Sequence, residues 1–158
     1  MIVKATMNDR DYLLDATERM VKDIAERSKD PYFLNLREDR REMYEQILQD
    51  HLELEKDLFV FICLKEEKPV GFALGGIVDA LIPISKLEHV GVIKMCWVEE
   101  DFRGTGIAKE LSEAIEEWFT KRNIQHIEVT YMHENDIAAE VWAGLGYKAF
   151  RVHARKTV

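Results

Sequence analysis

Cysteine is scarce in this chain. Only Cys63 and Cys96 occur in 158 residues, each inside an apolar run and neither in a CxxC or Cys/His spacing. That excludes a disulfide framework, argues against a zinc site, and leaves at most one bridge. Three prolines and no low-complexity stretch leave nothing that reads as a linker, and no internal repeat is found. Long hydrophobic runs are missing as well. The least polar stretch, residues 70–85, contains Gly75, Gly76, Asp79 and Pro83, so no segment has the length of a membrane span. The first ten residues lack the apolar core of a signal peptide, and a soluble, cytoplasmic protein is expected. Basic residues are outnumbered 22 to 30, for a formal charge of −8. So acidic a chain has no electrostatic footprint for nucleic acid or an anionic membrane surface, but it can attract a cationic substrate.

What remains is an ordinary globular composition, 47% apolar and 33% charged, at a length that fits one domain over residues 1–158. Residues 2–5 read as a short strand. Asn8 and Asp9 offer caps for a helix with Leu13, Ala16, Met20 and Ile24 inward at steps of three and four, broken by Pro31. A second amphipathic helix should turn Met43, Ile47 and Leu48 inward. Residues 58–64, Leu-Phe-Val-Phe-Ile-Cys-Leu, read as a buried strand that turns at 66–69 into a return strand. A long strand over 90–98 should follow, then a helix with Ile107, Leu111, Ala114, Ile115, Trp118 and Phe119 at helical spacing. A strand over 127–132, a short helix capped by Asn135 and a last strand over 147–154 complete the order β-α-α-β-β-β-α-β-α-β. That order implies an α/β sandwich with a mixed sheet.

The strongest chemical signal lies where the long strand meets the next helix, Val98-Glu-Glu-Asp-Phe-Arg103-Gly104-Thr105-Gly106-Ile107-Ala108-Lys109. Two glycines permit positive φ and close approach of a ligand, and the helix's first amides face outward at the positive end of its dipole. Such a turn can hold phosphate or pyrophosphate. It is not a P-loop, because Lys109 is followed by Glu110 rather than Ser or Thr, and not a dinucleotide fingerprint, which needs glycine in place of Lys109. A plain turn before a helix is the competing reading.

Arg103-x-x-Gly106-x-Ala108 resembles the [Q/R]-x-x-G-x-[G/A] acetyl-CoA signature of the GNAT superfamily of N-acetyltransferases. The likeness extends to the Glu67–Gly71 hairpin, to Cys96-Trp97-Val98, and to the stretch from Asn135 to Gly146-Tyr147. The resemblance implies a GNAT-like α/β sandwich using acetyl-CoA, without a metal, to acetylate a small polyamine-like molecule or a peptide amine, and it is compatible with a homodimer. It implies that the strand splays at a bulge, so that Cys96, Trp97 and Val98 offer backbone groups to the pantetheine, as in β-augmentation. The amides of Gly104, Thr105, Gly106, Ile107, Ala108 and Lys109 would hold the pyrophosphate. Arg103 would add charge or brace the loop, and Asn135 would cap its helix while touching the pantetheine.

The implied reaction is attack of an amine on a thioester, with a strand-end amide near Val98 receiving the oxyanion. An amine with a pKa of about 10.4 must first lose a proton. The position where family members carry an acid is Val92, which cannot serve. Glu88, His89, Tyr131 and His133 are the remaining candidates, each with an ordinary structural reading beside the catalytic one. The helix position commonly held by a proton-donating Tyr is Trp142, whose indole N–H donates a hydrogen bond but not a proton. Cys96, mid-strand with no fixed base beside it, reads as packing. Two rival readings follow from these departures: a CoA-binding module without turnover, and a nucleotide-binding regulatory domain.

Overall fold

The computed structural model describes residues 1–53 and 56–158. Among the described residues, five strands form one sheet in the order β1-β2-β3-β4-β5: β1 (Ile2–Lys4), β2 (Leu58–Lys65), β3 (Lys68–Asp79), β4 (His89–Val98) and β5 (Ile127–Val129). The first four are antiparallel neighbours, while β5 runs parallel to β4. The run 58–64 is apolar throughout because both faces of β2 are covered. Val60 and Ile62 join Phe72, Leu74 and Trp97 under α1 (Arg10–Ser28) and α3 (Arg40–Glu53). Phe59 and Cys63 join Ala73 and Ile93 under α4 (Ile107–Thr120) and α5 (Asp136–Gly144).

Local chemistry explains the element ends. Thr6 and Asp9 form a capping box ahead of α1, and Lys29 closes that helix with a left-handed φ of 49°. Pro31 does not merely break a helix; it opens a short one, α2 (Pro31–Leu34), capped by Asp30. Glu66 and Glu67, at φ 49° and 63°, form the two-residue turn between β2 and β3.

Three expectations are corrected. Met43 is 46% exposed, whereas Leu48 is buried as expected and His51 joins it. The strand expected over 127–132 stops at Val129. The last strand, expected over 147–154, does not form. A strand needs a partner edge, and this segment has none among the described residues; Arg155 just beyond it pairs with Asp30 at 2.9 Å and lies over the Tyr32 ring at 4.8 Å. Phe150 and Val152 are left exposed on the way. Among the described residues, no helix is long and apolar enough to cross a membrane.

Candidate functional site

β4 changes character at its middle. Its register against β3 passes from Gly75↔Ile93 to Leu74↔Met95, so Lys94 is an extra, bulged residue. Gly75 is required there, because a Cβ at that position would collide with the Val92 carbonyl oxygen. Pairing with β5 covers only Gly91, Val92 and Ile93. Beyond the bulge the two strands part, and residues 94–98 keep β3 on one side with no strand on the other among the described residues.

The backbone ladder identifies which groups face that opening. The Glu99 N–H donates to the Val70 carbonyl at 2.9 Å, which makes Glu99 a hydrogen-bonded partner of β3. Antiparallel alternation then turns Trp97 and Met95 toward β3, and turns the N–H and C=O groups of Cys96 and Val98 toward the gap. The Val98 carbonyl agrees, since it accepts from Arg103 Nε at 3.2 Å rather than from β3. Of the expected trio, Trp97 therefore offers the gap no backbone group; its side chain lies in the core beneath α1.

A single 3₁₀ turn, Glu100–Phe102, leads from β4 to Gly104 (φ 75°) and Gly106 (φ 90°), with Gly106 at the N-cap of α4. Neither α-carbon has an atom within 4 Å of where a Cβ would stand, so the turn is open on its outer side. The first bond of α4 runs from the Glu110 N–H to the Gly106 carbonyl, leaving the amides of Ile107, Ala108 and Lys109 without helical acceptors. Thr105 spends its hydroxyl on the Phe102 carbonyl at 2.6 Å. The Lys109 ammonium lies 3.8 Å from Glu113. Arg103 is folded back against the protein: besides Val98 it reaches Asp23 at 3.4 Å and covers the Trp97 ring at 4.6 Å.

The far wall comes from α5. Asn135 caps it, its Oδ1 accepting from the Ala138 N–H at 3.2 Å. Trp142 is buried edge-on to Tyr147, centroids 5.1 Å apart, in the cluster that also receives Cys96, Val98 and Tyr131. Burial pushes the Cys96 thiol up to about 12, so it stays protonated and unreactive. Glu88 and His89 stand elsewhere. His89 begins β4, paired with Asp79 at 3.2 Å, and at a rise of about 3.3 Å per residue it is some 16 Å along the strand from Lys94.

Several polar groups on the α1/α3 face escaped sequence reasoning. His51 donates from Nδ1 to the Ile47 carbonyl at 2.7 Å, which leaves the Nε2 lone pair buried and without a partner among the described residues. Burial lowers its pKa, and the Lys94 ammonium adds to the effect, so the ring is neutral. Arg19 of α1 clamps Glu99 through two bonds, at 2.8 and 3.2 Å. Nearby, burial and then the Glu99 carboxylate raise the pKa of the Tyr12 phenol. These pairs join residues up to 80 positions apart, and no local spacing announces them.

The acetyltransferase (GNAT) family model matches residues 21–147. The chain belongs to the GNAT acetyltransferase family. Its class is therefore acetyl-CoA-dependent N-acetyl transfer, and the open β4 edge beside a glycine turn is where the sequence resemblance placed the cosubstrate. Comparison with curated proteins gave no significant match. Among solved structures, this GNAT chain is similar to the tetramutant of the BH1408 protein from Bacillus halodurans, with a TM-score of 0.86, 19% identity, and coverage of 100% of this chain and 99% of that one. It is similar to a predicted acetyltransferase with acetyl-CoA from Clostridium acetobutylicum, TM-score 0.79, 18% identity, coverage 99% and 95%. It also resembles the apo aminoglycoside 6′-N-acetyltransferase AAC(6′)-IG from Acinetobacter haemolyticus, TM-score 0.75, 16% identity, coverage 100% and 99%. At these identities the likeness carries the fold.

Proposed function

We propose that this protein transfers the acetyl group of acetyl-CoA to the primary amine of a small polycationic molecule in a ternary complex. The observation that carries the reading is the open edge of β4 facing a glycine turn. The pantetheine adds as a short strand beside Cys96 and Val98, and the amides from Gly104 to Lys109 take the pyrophosphate. A neutral amine attacks the thioester carbon, and the negative charge that develops on its oxygen falls to a strand-end N–H near Val98. Collapse of the tetrahedral intermediate breaks the C–S bond and expels CoA thiolate, and the proton given up by the amine nitrogen passes to that thiolate or to solvent, leaving the acetylated amine and CoA. A thiol pKa of about 8.5 lets that thiolate leave without a strong acid.

Trp142 walls the thioester pocket, where its ring packs against Tyr147. Of the candidates for proton transfer, Tyr131 packs in the same cluster as Cys96 and Val98 and is the one we place beside the reacting sulfur. Glu88 and His89, far along β4, keep a part only if the acceptor extends to that end. The surplus of acidic residues favours a polyamine-like or aminoglycoside-like acceptor, or a basic peptide, over an anionic one. Acetyl-CoA consumption with a panel of polyamines, aminoglycosides and lysine peptides tests the reading. Turnover with at least one cationic amine is expected. CoA binding without turnover on any amine would favour a binding module instead.

A further inference from the structure

Arg103 heads the acetyl-CoA signature, yet its guanidinium is committed to the protein and not to the outer face of the turn. Nε donates to the Val98 carbonyl at 3.2 Å, one terminal nitrogen lies 3.4 Å from Asp23, and the group covers the Trp97 ring. Asp23 is itself held by Arg27, one turn along α1, through bonds of 2.7 and 3.1 Å. Burial raises the pKa of the Asp23 carboxyl, but the Arg27 hydrogen bond and the Arg103 charge outweigh it, so the net shift is downward and the group is ionised. Arg19, one turn before Asp23, clamps Glu99. Residues 19, 23 and 27 thus form a stripe on α1, and two of them grip both ends of the 99–103 turn.

We propose that Asp23 is a positioning residue for the cosubstrate: through Arg103 it fixes the shape of the turn from Glu99 to Gly106, and hence the aim of the amides that follow. The inference rests on the reading of that turn as the pyrophosphate site. It has a specific consequence. Asp23 shares its one negative charge between Arg27 and Arg103 and holds the Arg103 guanidinium against the protein, so the pyrophosphate is left to the backbone amides, and Asp23 should matter most for cosubstrates that carry a pyrophosphate. Acetyl-pantetheine, which has the thioester arm and lacks the pyrophosphate, is the discriminating probe.

The test compares Asp23→Asn, Asp23→Glu and the unsubstituted protein with both thioesters, alongside calorimetric titration with CoA. Asp23→Asn should raise the KM for acetyl-CoA and the Kd for CoA roughly tenfold, the scale of one charge-assisted bond. It should leave the acceptor KM and the rate with acetyl-pantetheine within about twofold. Asp23→Glu, which keeps the charge, should recover most of the affinity. If Asp23→Asn unfolds the chain, Arg103→Met removes the same contact from the other side, and its Kd for CoA should rise by a similar factor. Equal losses with both thioesters, or unchanged CoA affinity in a folded variant, would overturn the proposal. Failure of the unsubstituted protein to bind CoA at all would instead overturn the functional reading beneath it.

Discussion

The two halves of β4 use one backbone for opposite ends. From His89 to Ile93 the strand is paired with β3 on one side and, over its last three residues, with β5 on the other. From Lys94 to Val98 it pairs with β3 alone, and alternate residues direct their backbone groups into a gap. Side-chain chemistry does not separate the halves, since both are mostly apolar. A single inserted residue and the glycine opposite it do. In the proposed reading, binding capacity is therefore a property of register, created where the sheet stops satisfying itself.

The largest effect is expected behind the open half. Trp142→Ala empties a buried site in the cluster that receives Cys96 and Val98, and should cost about 3–5 kcal/mol in thermal or denaturant unfolding. Trp142→Phe should keep most of the rate if the ring is a wall; a selective loss of turnover with stability intact would give the indole N–H a part in the chemistry. Gly75→Val attacks the bulge itself. Its side chain must displace the Val92 carbonyl, costing about 1–3 kcal/mol and weakening CoA binding together with stability. Gly106→Val leaves the sheet alone but forces a β-branched residue toward φ 90°. CoA affinity should fall about tenfold, roughly 1.4 kcal/mol. The smallest effect is at His51, on α3. Its pKa is lowered in the fold, so the unfolded chain binds the proton first as pH falls below about 6.5, and stability declines through that window. Lys94 and Asp50 are the charged neighbours that act on it, and His51→Gln should flatten this part of the stability–pH curve.

Much of this was legible in the sequence because it is local. The paired apolar periodicities, the Glu66-Glu67 turn, the Asn135 cap and the glycines before α4 each declare themselves within a few residues. A bulge in β4 was implied only by family resemblance, and its place at Lys94 was not foreseen, since an inserted residue leaves no mark in an apolar run. Alternation of the ladder depends on which pair is hydrogen-bonded, and that single fact removed Trp97 from the backbone groups facing the gap. The last strand, expected over 147–154, does not form, and Arg155 just beyond it pairs with Asp30, 125 positions away. Asp23 and Arg103, 80 residues apart, could not be joined by any spacing rule.

Site-resolved amide hydrogen exchange along β4, with and without acetyl-CoA, tests the central claim most directly. The N–H groups of Met95 and Trp97 already bond to β3 and should be protected in both states. Those of Cys96 and Val98 should exchange faster in the free protein and slow by tenfold or more when the cosubstrate adds beside them. Tight binding of acetyl-CoA with no added protection at Cys96 and Val98 would contradict the account.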